Sequence, residues 1–224
     1  MNKLAAFDLD GTLSQSDRFL LPAYRRALEL TGRAPLPDSL LMTLIGGTAA
    51  DNARVISPDG SAEKYEEFNF HVVQAIRETI PKLARAYPGV EESLRELRRR
   101  GYKIYLCSNA RREYTDLVLG QIGLLPLFDG TPDGRAGWDK PRLLAHILET
   151  ERPGAAVMVG DRHFDRTAAR ENGVPFIGCL YGLFPEEVAG ADAEIKSADE
   201  LPGAVERLTA RQASARPGAA PVQR

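Results

Sequence analysis

The chain has 224 residues, 43% of them hydrophobic, which is enough for one large domain or a domain with an insert and excludes general disorder. A formal net charge of −2 gives no electrostatic reason to expect nucleic acid or an anionic membrane as a partner. No apolar run approaches the ~20 residues that a membrane helix needs, and the apolar run after Lys3 is too short for a signal peptide. The two cysteines lie in strand-like runs. We therefore expect a cytoplasmic protein without disulfides.

Short apolar runs alternate with helical patterns over residues 3–13 and about 86–208. The runs "KLAAFDLD", "YKIYLCSN", "AAVMVGD" and "VPFIGCL" are almost continuously apolar, as strands buried on both faces are. Helical periodicity separates them at 90–100, 111–122, 140–149 and 163–172. This alternation predicts an α/β protein whose parallel sheet carries helices on both faces.

Residues 14–85 have a different pattern, with helical periodicity at 19–31 and 62–86 and no convincing strand. They are predicted to form a helical insert between the first strand and the rest of the sheet. The predicted core is therefore 1–13 together with 86–209. The small, polar, Pro-bearing residues 210–224 are predicted to be a disordered tail.

The segment "DLDGT" (residues 8–12) places two carboxylates directly after the first apolar run. A carboxylate at a strand end can attack phosphorus, and a second carboxyl two residues later can transfer protons. A strand followed by an ordinary Asp-Gly turn, capped by Asp10, explains these few residues about equally well.

Two further segments follow at predicted strand ends or helix starts. Ser108 and Asn109 come after "KIYLC", where a hydroxyl and backbone N–H groups can hold phosphate oxygens, although a helix cap explains them too. Lys140 stands before Pro141 at a predicted helix start, where a cation is unfavourable unless an anion binds beside it. A solvated surface lysine is the alternative interpretation.

The fourth segment, "MVGDRHFD", ends an apolar run with Asp161 and places Asp165 four residues later. If a helix begins between them, both carboxylates can face one place. More acid beside Asp8 and Asp10 would be unfavourable without a cation, and oxygen ligands with room for water suit Mg²⁺. His163, between the two, is interpreted as structural or solvated.

The order and spacing of these segments resemble the haloacid dehalogenase-like hydrolase superfamily. Its motifs match residues 8–12, Ser108, Lys140 and 160–165, and "VGDRHFDRTAARENGVPFIGCLYG" resembles the phosphoglycolate phosphatase branch. The resemblance covers nearly the whole chain except the tail and implies a Rossmann-like core with an inserted helical cap. One departure is that Asn109-Ala110-Arg111 follows the second motif, where close relatives often carry Lys-Pro.

The resemblance implies roles for the first motif. Asp8 would be the nucleophile and a Mg²⁺ ligand. Asp10 would be the general acid/base, with its backbone carbonyl on the metal. Thr12 would support the turn, orient Asp10 and count among the phosphate-binding residues.

The resemblance also implies roles for the later motifs. Ser108 and Lys140 would bind the transferring phosphoryl group, Lys140 would offset the charge of the nucleophile, and Asn109 would add a phosphate contact. Asp161 would bind Mg²⁺, and Asp165 would do so directly or through water.

The resulting prediction is a Mg²⁺-dependent phosphatase that acts on a small, phosphoglycolate-like phosphomonoester through an aspartyl-phosphate. The expected partners are a small phosphorylated metabolite, neither nucleic acid nor membrane, and at most a second copy of the chain. A phosphosugar mutase or a 5′-nucleotidase of the same fold is the alternative. A non-catalytic phospholigand-binding protein is a further alternative. The presence of Asp10 argues against a dehalogenase.

Overall fold

A computed structural model describes residues 2–132 and 138–215. Its strands form one parallel sheet in the order β2-β1-β3-β4-β5. The strands are β1 (Lys3–Phe7), β2 (Tyr102–Leu106), β3 (Ala155–Gly160), β4 (Phe176–Cys179) and β5 (Ala193–Ile195). The predicted α/β class and the four predicted strands are confirmed. The edge strand β5 escaped prediction because its three residues contain one buried apolar side chain, that of Ile195.

The register of the central strands determines where the polar residues that follow each strand lie. In β1, Phe7 pairs with Leu106 of β2 on one side and with Val159 of β3 on the other. The three strands therefore end at the same level. Parallel strands share one carboxyl edge, so the residues that follow each of them are brought together.

Helices cover both faces of the sheet. The helices are α1 (Asp17–Leu30), α2 (Asp38–Met42), α3 (Ala49–Ile56), α4 (Ala62–Leu83), α5 (Val90–Arg99), α6 (Arg112–Gln121), α7 (Lys140–Glu151), α8 (His163–Glu171) and α9 (Leu201–Ala215). Alternate side chains of β1 lie in different apolar clusters: Ala5 and Phe7 in one, Leu4 and Ala6 in the other. This explains why the strand sequence is apolar throughout.

Residues 17–83 supply α1 to α4, where the sequence predicted a helical insert. The buried side of α1 packs against the buried side of α4, and the rings of Tyr24 and Phe68 stack with centroids 6.1 Å apart. Helices with one apolar stripe gain stability mainly from this kind of packing. The division of the chain into a core and a cap remains a prediction.

The tail differs from the expectation over residues 210–215, which continue α9 to Ala215. Alanine, arginine and glutamine favour helix. The side chain of Gln212 also accepts a hydrogen bond from the backbone N–H of Ala156 at 2.9 Å. The rest of the predicted tail, 216–224, lies outside the described residues.

Candidate active site

Three carboxylates meet at the carboxyl edge of the sheet. Asp8 follows β1, Asp161 follows β3, and Asp165 lies in the first turn of α8. One carboxylate oxygen from each lies within 4.8 Å of the others, and all three side chains are buried. The structure thus brings together acids from opposite ends of the chain.

Lys140 is buried among these acids. Its Nζ lies 2.9 Å from Asp8 Oδ1 and donates to Asp165 Oδ1 at 2.6 Å. The lysine is the first residue of α7, where the Asp139 side chain accepts a hydrogen bond from the N–H of Arg142. Burial acts to lower the pKa of Lys140, but the carboxylates of Asp165 and Asp8 outweigh it and raise the pKa above its usual value. The alternative of a solvated surface lysine is therefore wrong.

Backbone and hydroxyl donors hold the two later acids in place. Asp161 accepts from the N–H of Leu183 at 2.8 Å and from the Thr12 hydroxyl at 3.4 Å. Asp165 accepts from the N–H of Arg162 at 3.0 Å. The Thr12 hydroxyl therefore contacts an acid of the cluster, and its role in binding phosphate remains a prediction.

Two glycines allow the chain to wrap closely around Asp161. A Cβ at Gly11, where φ is +81°, would lie 2.1 Å from Asp161 Oδ2. A Cβ at Gly182 would lie 2.4 Å from the Cβ of Asp161. Both positions require glycine because a side chain would displace the acid, and Gly11 also has a left-handed backbone.

Asp10 lies beside the three-carboxylate cluster and has its own donors. Its Oδ1 accepts from the Ser16 hydroxyl at 2.5 Å and from the Tyr114 hydroxyl at 2.7 Å. Burial, and then repulsion by Asp8, raise the pKa of Asp10 to about 6, against the lowering effect of the two hydroxyls. A carboxyl with such a pKa can both donate and accept a proton near neutral pH.

The cluster has the properties of a divalent-cation site. Burial and the charges of its neighbours raise the pKa of Asp161 well above its usual range, and burial also raises the pKa of Asp165. Asp8 Oδ2 is buried and has no hydrogen-bond partner among the described residues. Carboxylate oxygens are the ligands that Mg²⁺ prefers, so a cation that binds Asp8, Asp161 and Asp165 would remove this electrostatic penalty.

Ser108 and Asn109 follow β2 at the same edge. The Ser108 hydroxyl accepts the N–H of Ala110 at 3.2 Å, as a local cap does. The Asn109 amide donates to the carbonyl of Gly46, between α2 and α3, at 3.1 Å. Both side chains thus have protein partners, and their contacts with phosphate remain predictions.

Arg162 is a site neighbour that the sequence did not single out. It is 5% exposed, and its guanidinium donates to the carbonyl of Ile45 and to Glu187, and lies 3.8 Å from the ring centroid of Phe184. Together with Asn109, it connects the carboxyl edge of the sheet to the segment 44–47. Ser16, Tyr114 and Leu183 also escaped prediction, because a hydroxyl or a backbone N–H near a helix carries no distinctive spacing.

A cavity of about 440 Å³ opens next to Asp10. It lies between the helices of residues 17–83 and the segment 109–114, and we call it the cap-side cavity. Most of its wall is aliphatic or aromatic. The lining comprises Asp10, Leu20, Tyr24, Leu44, Gly46, Gly47, Ala49, Asn52, Tyr65, Glu66, Phe68, Asn69, Val72, Val73, Ile76, Asn109, Ala110, Arg111 and Tyr114.

The fold and the site are those of an α/β protein with clustered aspartates at the carboxyl edge of its parallel sheet, and comparisons with known proteins assign its family. The model of the haloacid dehalogenase-like hydrolase family matches residues 2–173. The chain belongs to this family, and the predicted superfamily is confirmed.

Relatives point to the phosphatases within the family. The chain is 29% identical over 211 residues to a phosphoglycolate phosphatase of Vibrio vulnificus, covering 89% of this chain and 92% of that protein. It is 30% identical over 221 residues to one of Cereibacter sphaeroides, covering 91% and 98%. A predicted phosphatase from Clostridium acetobutylicum has the same fold, with a TM-score of 0.80 at 23% identity over 92% of this chain and 99% of that one.

These findings confirm a phosphatase-type hydrolase similar to the phosphoglycolate phosphatases. Within residues 2–132 and 138–215, no helix is both long and apolar enough to cross a membrane.

Proposed function

We propose that the protein is a Mg²⁺-dependent phosphatase that hydrolyses a small phosphomonoester in two displacements through a phosphoryl group on Asp8. The observation that supports it best is the state of this carboxylate. Its Oδ1 is paired with Lys140, and its Oδ2 is buried without a partner in the described part of the chain. The carboxylate thus offers the two oxygens that the proposal needs, one for the metal and one to attack phosphorus.

In the first displacement, Asp8 forms a bond to phosphorus as the bond between phosphorus and the leaving oxygen breaks. Asp10 donates its proton to that oxygen. In the second, Asp10 accepts a proton from water as water attacks phosphorus, and the bond to Asp8 breaks. The pKa of Asp10, about 6, suits both proton transfers.

Lys140 supports the first displacement by fixing Asp8. Because Nζ also binds Asp165, the ammonium is held on two sides and can face a phosphoryl oxygen without reorganisation. Ser108 and Asn109, at the end of β2, would contact the other phosphoryl oxygens, with Thr12 as a further candidate.

The metal site would consist of Asp8, Asp161 and Asp165, with the Asp10 carbonyl as a further ligand. Asp165 would bind directly or through water, and its two oxygens already accept hydrogen bonds from Lys140 and from the N–H of Arg162. When bound, Mg²⁺ would neutralise charge and polarise the phosphoryl group.

The test is phosphate release by the purified protein, assayed first with phosphoglycolate because relatives bear that name. With Mg²⁺, the wild type should turn over, and chelation should stop it. Asp8→Asn should lower kcat by more than about 10³-fold, as expected for loss of a nucleophile. Acid quenching during turnover should recover the mass of one phosphoryl group on the peptide that contains Asp8.

Asp38→Asn is a matched control, because this carboxylate is 57% exposed and pairs with Arg25, which is not part of the cluster. It should retain full activity. Turnover that survives in Asp8→Asn, or a phosphoryl group found on another peptide, would refute the mechanism. Transfer of phosphate to a second sugar hydroxyl, instead of release, would identify a mutase.

A further inference from the structure

Asp10 determines where the organic part of the substrate must lie. If Asp10 protonates the leaving oxygen, the group attached to this oxygen lies next to the Asp10 carboxyl. The cap-side cavity opens there, since Asp10 is part of its wall. The chemistry of this cavity therefore decides which leaving groups fit.

The size of the cavity exceeds the needs of a two-carbon acid. Cavities of about 300–1,000 Å³ hold drug-sized ligands, and this one has about 440 Å³. Its buried wall is formed by side chains of α1 and α4 and by Leu44. The side chains from the two helices are those of Leu20, Tyr24, Phe68, Val72 and Ile76, and each is 7% exposed or less.

The charges around the cavity do not favour an anionic leaving group. Among the described residues that line it, Arg111 is the one cation, and it is exposed at the rim. Glu66 adds a negative charge on the facing helix α4, and Asp10 adds another when ionised. A substrate carboxylate would thus leave water for an apolar wall without a buried cation, which is unfavourable.

The lining also carries neutral amides on three asparagines. Asn52 already donates to the Leu44 carbonyl at 3.0 Å, and Asn109 donates to the Gly46 carbonyl. Asn69 is exposed on α4. Such groups can hydrogen-bond a hydroxyl or carbonyl at the edge of an otherwise apolar ligand.

We propose that the preferred substrate is a phosphomonoester with an uncharged, largely apolar organic group, aryl or medium-chain alkyl, held in the cap-side cavity. This inference rests on the proposed phosphatase function and narrows it. It sets this chain apart from an enzyme built for phosphoglycolate, whose organic part is a carboxylate.

The test compares kcat/KM for phenyl phosphate, hexyl phosphate and phosphoglycolate, measured as phosphate release with Mg²⁺. Burial of a ring or alkyl chain should favour the two apolar esters by about 10–100-fold. Equal or better turnover of phosphoglycolate would overturn this inference and leave the phosphatase function standing. Failure to release phosphate from all three esters would overturn both.

Val73→Lys provides a second readout, because Val73 lines the cavity yet is 38% exposed and should tolerate a change. Its ammonium should lower kcat/KM for phenyl phosphate about tenfold and raise that for phosphoglycolate. Leu117→Lys is the matched control, since Leu117 is 40% exposed and lies outside the cavity lining. It should leave the ratio of the two substrates unchanged.

Arg111→Met tests the competing possibility. If Arg111 binds a substrate carboxylate, this variant should lose phosphoglycolate turnover while phenyl phosphate turnover persists, and the inference would be overturned. We expect instead that the ratio of kcat/KM for phenyl phosphate to that for phosphoglycolate is unchanged.

Discussion

Replacing Asp10 by Asn should stabilise the metal-free protein although it abolishes turnover. The folded protein raises the pKa of this carboxyl from 3.8 to about 6, and each pKa unit corresponds to about 1.4 kcal/mol. The ionised side chain therefore destabilises the fold by about 3 kcal/mol relative to a group with an unshifted pKa. Asn removes this charge and keeps an oxygen that can accept from Ser16 and Tyr114.

The pH dependence of this gain follows from linkage. Because the folded-state pKa is the higher one, the folded protein binds more protons than the unfolded chain between about pH 4 and pH 6. The stability of the wild type therefore falls as pH rises through this window. The advantage of Asp10→Asn should be small near pH 4, about 0.5 kcal/mol, and complete above about pH 7.

Urea unfolding in EDTA at pH 4, 6 and 8 measures the change in the free energy of unfolding. In thermal unfolding, a gain of about 3 kcal/mol should raise Tm by about 6–12 °C in a protein of this size. Asp38→Asn, the exposed control, should stay within about 0.5 kcal/mol of the wild type at each pH. An equal gain at pH 4 and pH 8, or a loss at pH 8, would refute the reasoning, since neither can come from removing a buried charge.

Three other perturbations probe the same site. Mg²⁺ at 100 times its Kd should stabilise the wild type by about 2.7 kcal/mol at pH 8 and by less at pH 5, and a thermal shift independent of pH would contradict carboxylate ligands. Lys140→Met should lower the free energy of unfolding by about 3–5 kcal/mol without metal, because it leaves Asp8 and Asp165 unpaired; urea unfolding that matches the wild type would rule out the buried ion pairs. Tyr114→Phe should lower kcat about tenfold. Because the Tyr114 hydroxyl lowers the pKa of Asp10, its loss should also shift the alkaline limb of the pH–rate profile to higher pH, and an unmoved limb would argue against Asp10 as the titrating acid.

The position of the acidic cluster could be predicted because parallel strands end at one edge. Asp8 and Asp161 each follow a continuous apolar run, so the alternation of strands and helices is sufficient to bring them together. Lys140 could be placed in the same way, at a helix start where a cation needs an anion. Its pairing with two carboxylates depends on the exact approach of α7 to β1, which no local pattern encodes.

The surroundings of Asp10 could not be predicted. Tyr114 is 104 residues away along the chain, and its place in the apolar pattern of α6 is equally typical of a core residue. The cap-side cavity depends on how α1 and α4 cross, and residue spacing specifies the apolar face of a helix without specifying the crossing. These long-range arrangements emerge only when the helices pack.

The two bonds that reach the segment 44–47 from the carboxyl edge both end on main-chain oxygens. Arg162 donates to the carbonyl of Ile45, and Asn109 donates to the carbonyl of Gly46. Substitutions of the Leu44 or Ile45 side chain remove neither acceptor, whereas a side chain at Gly46, where φ is +72°, would strain the backbone that carries one of them. The side chains of the cavity wall can therefore be exchanged while main-chain oxygens keep this segment attached to the carboxyl edge of the sheet.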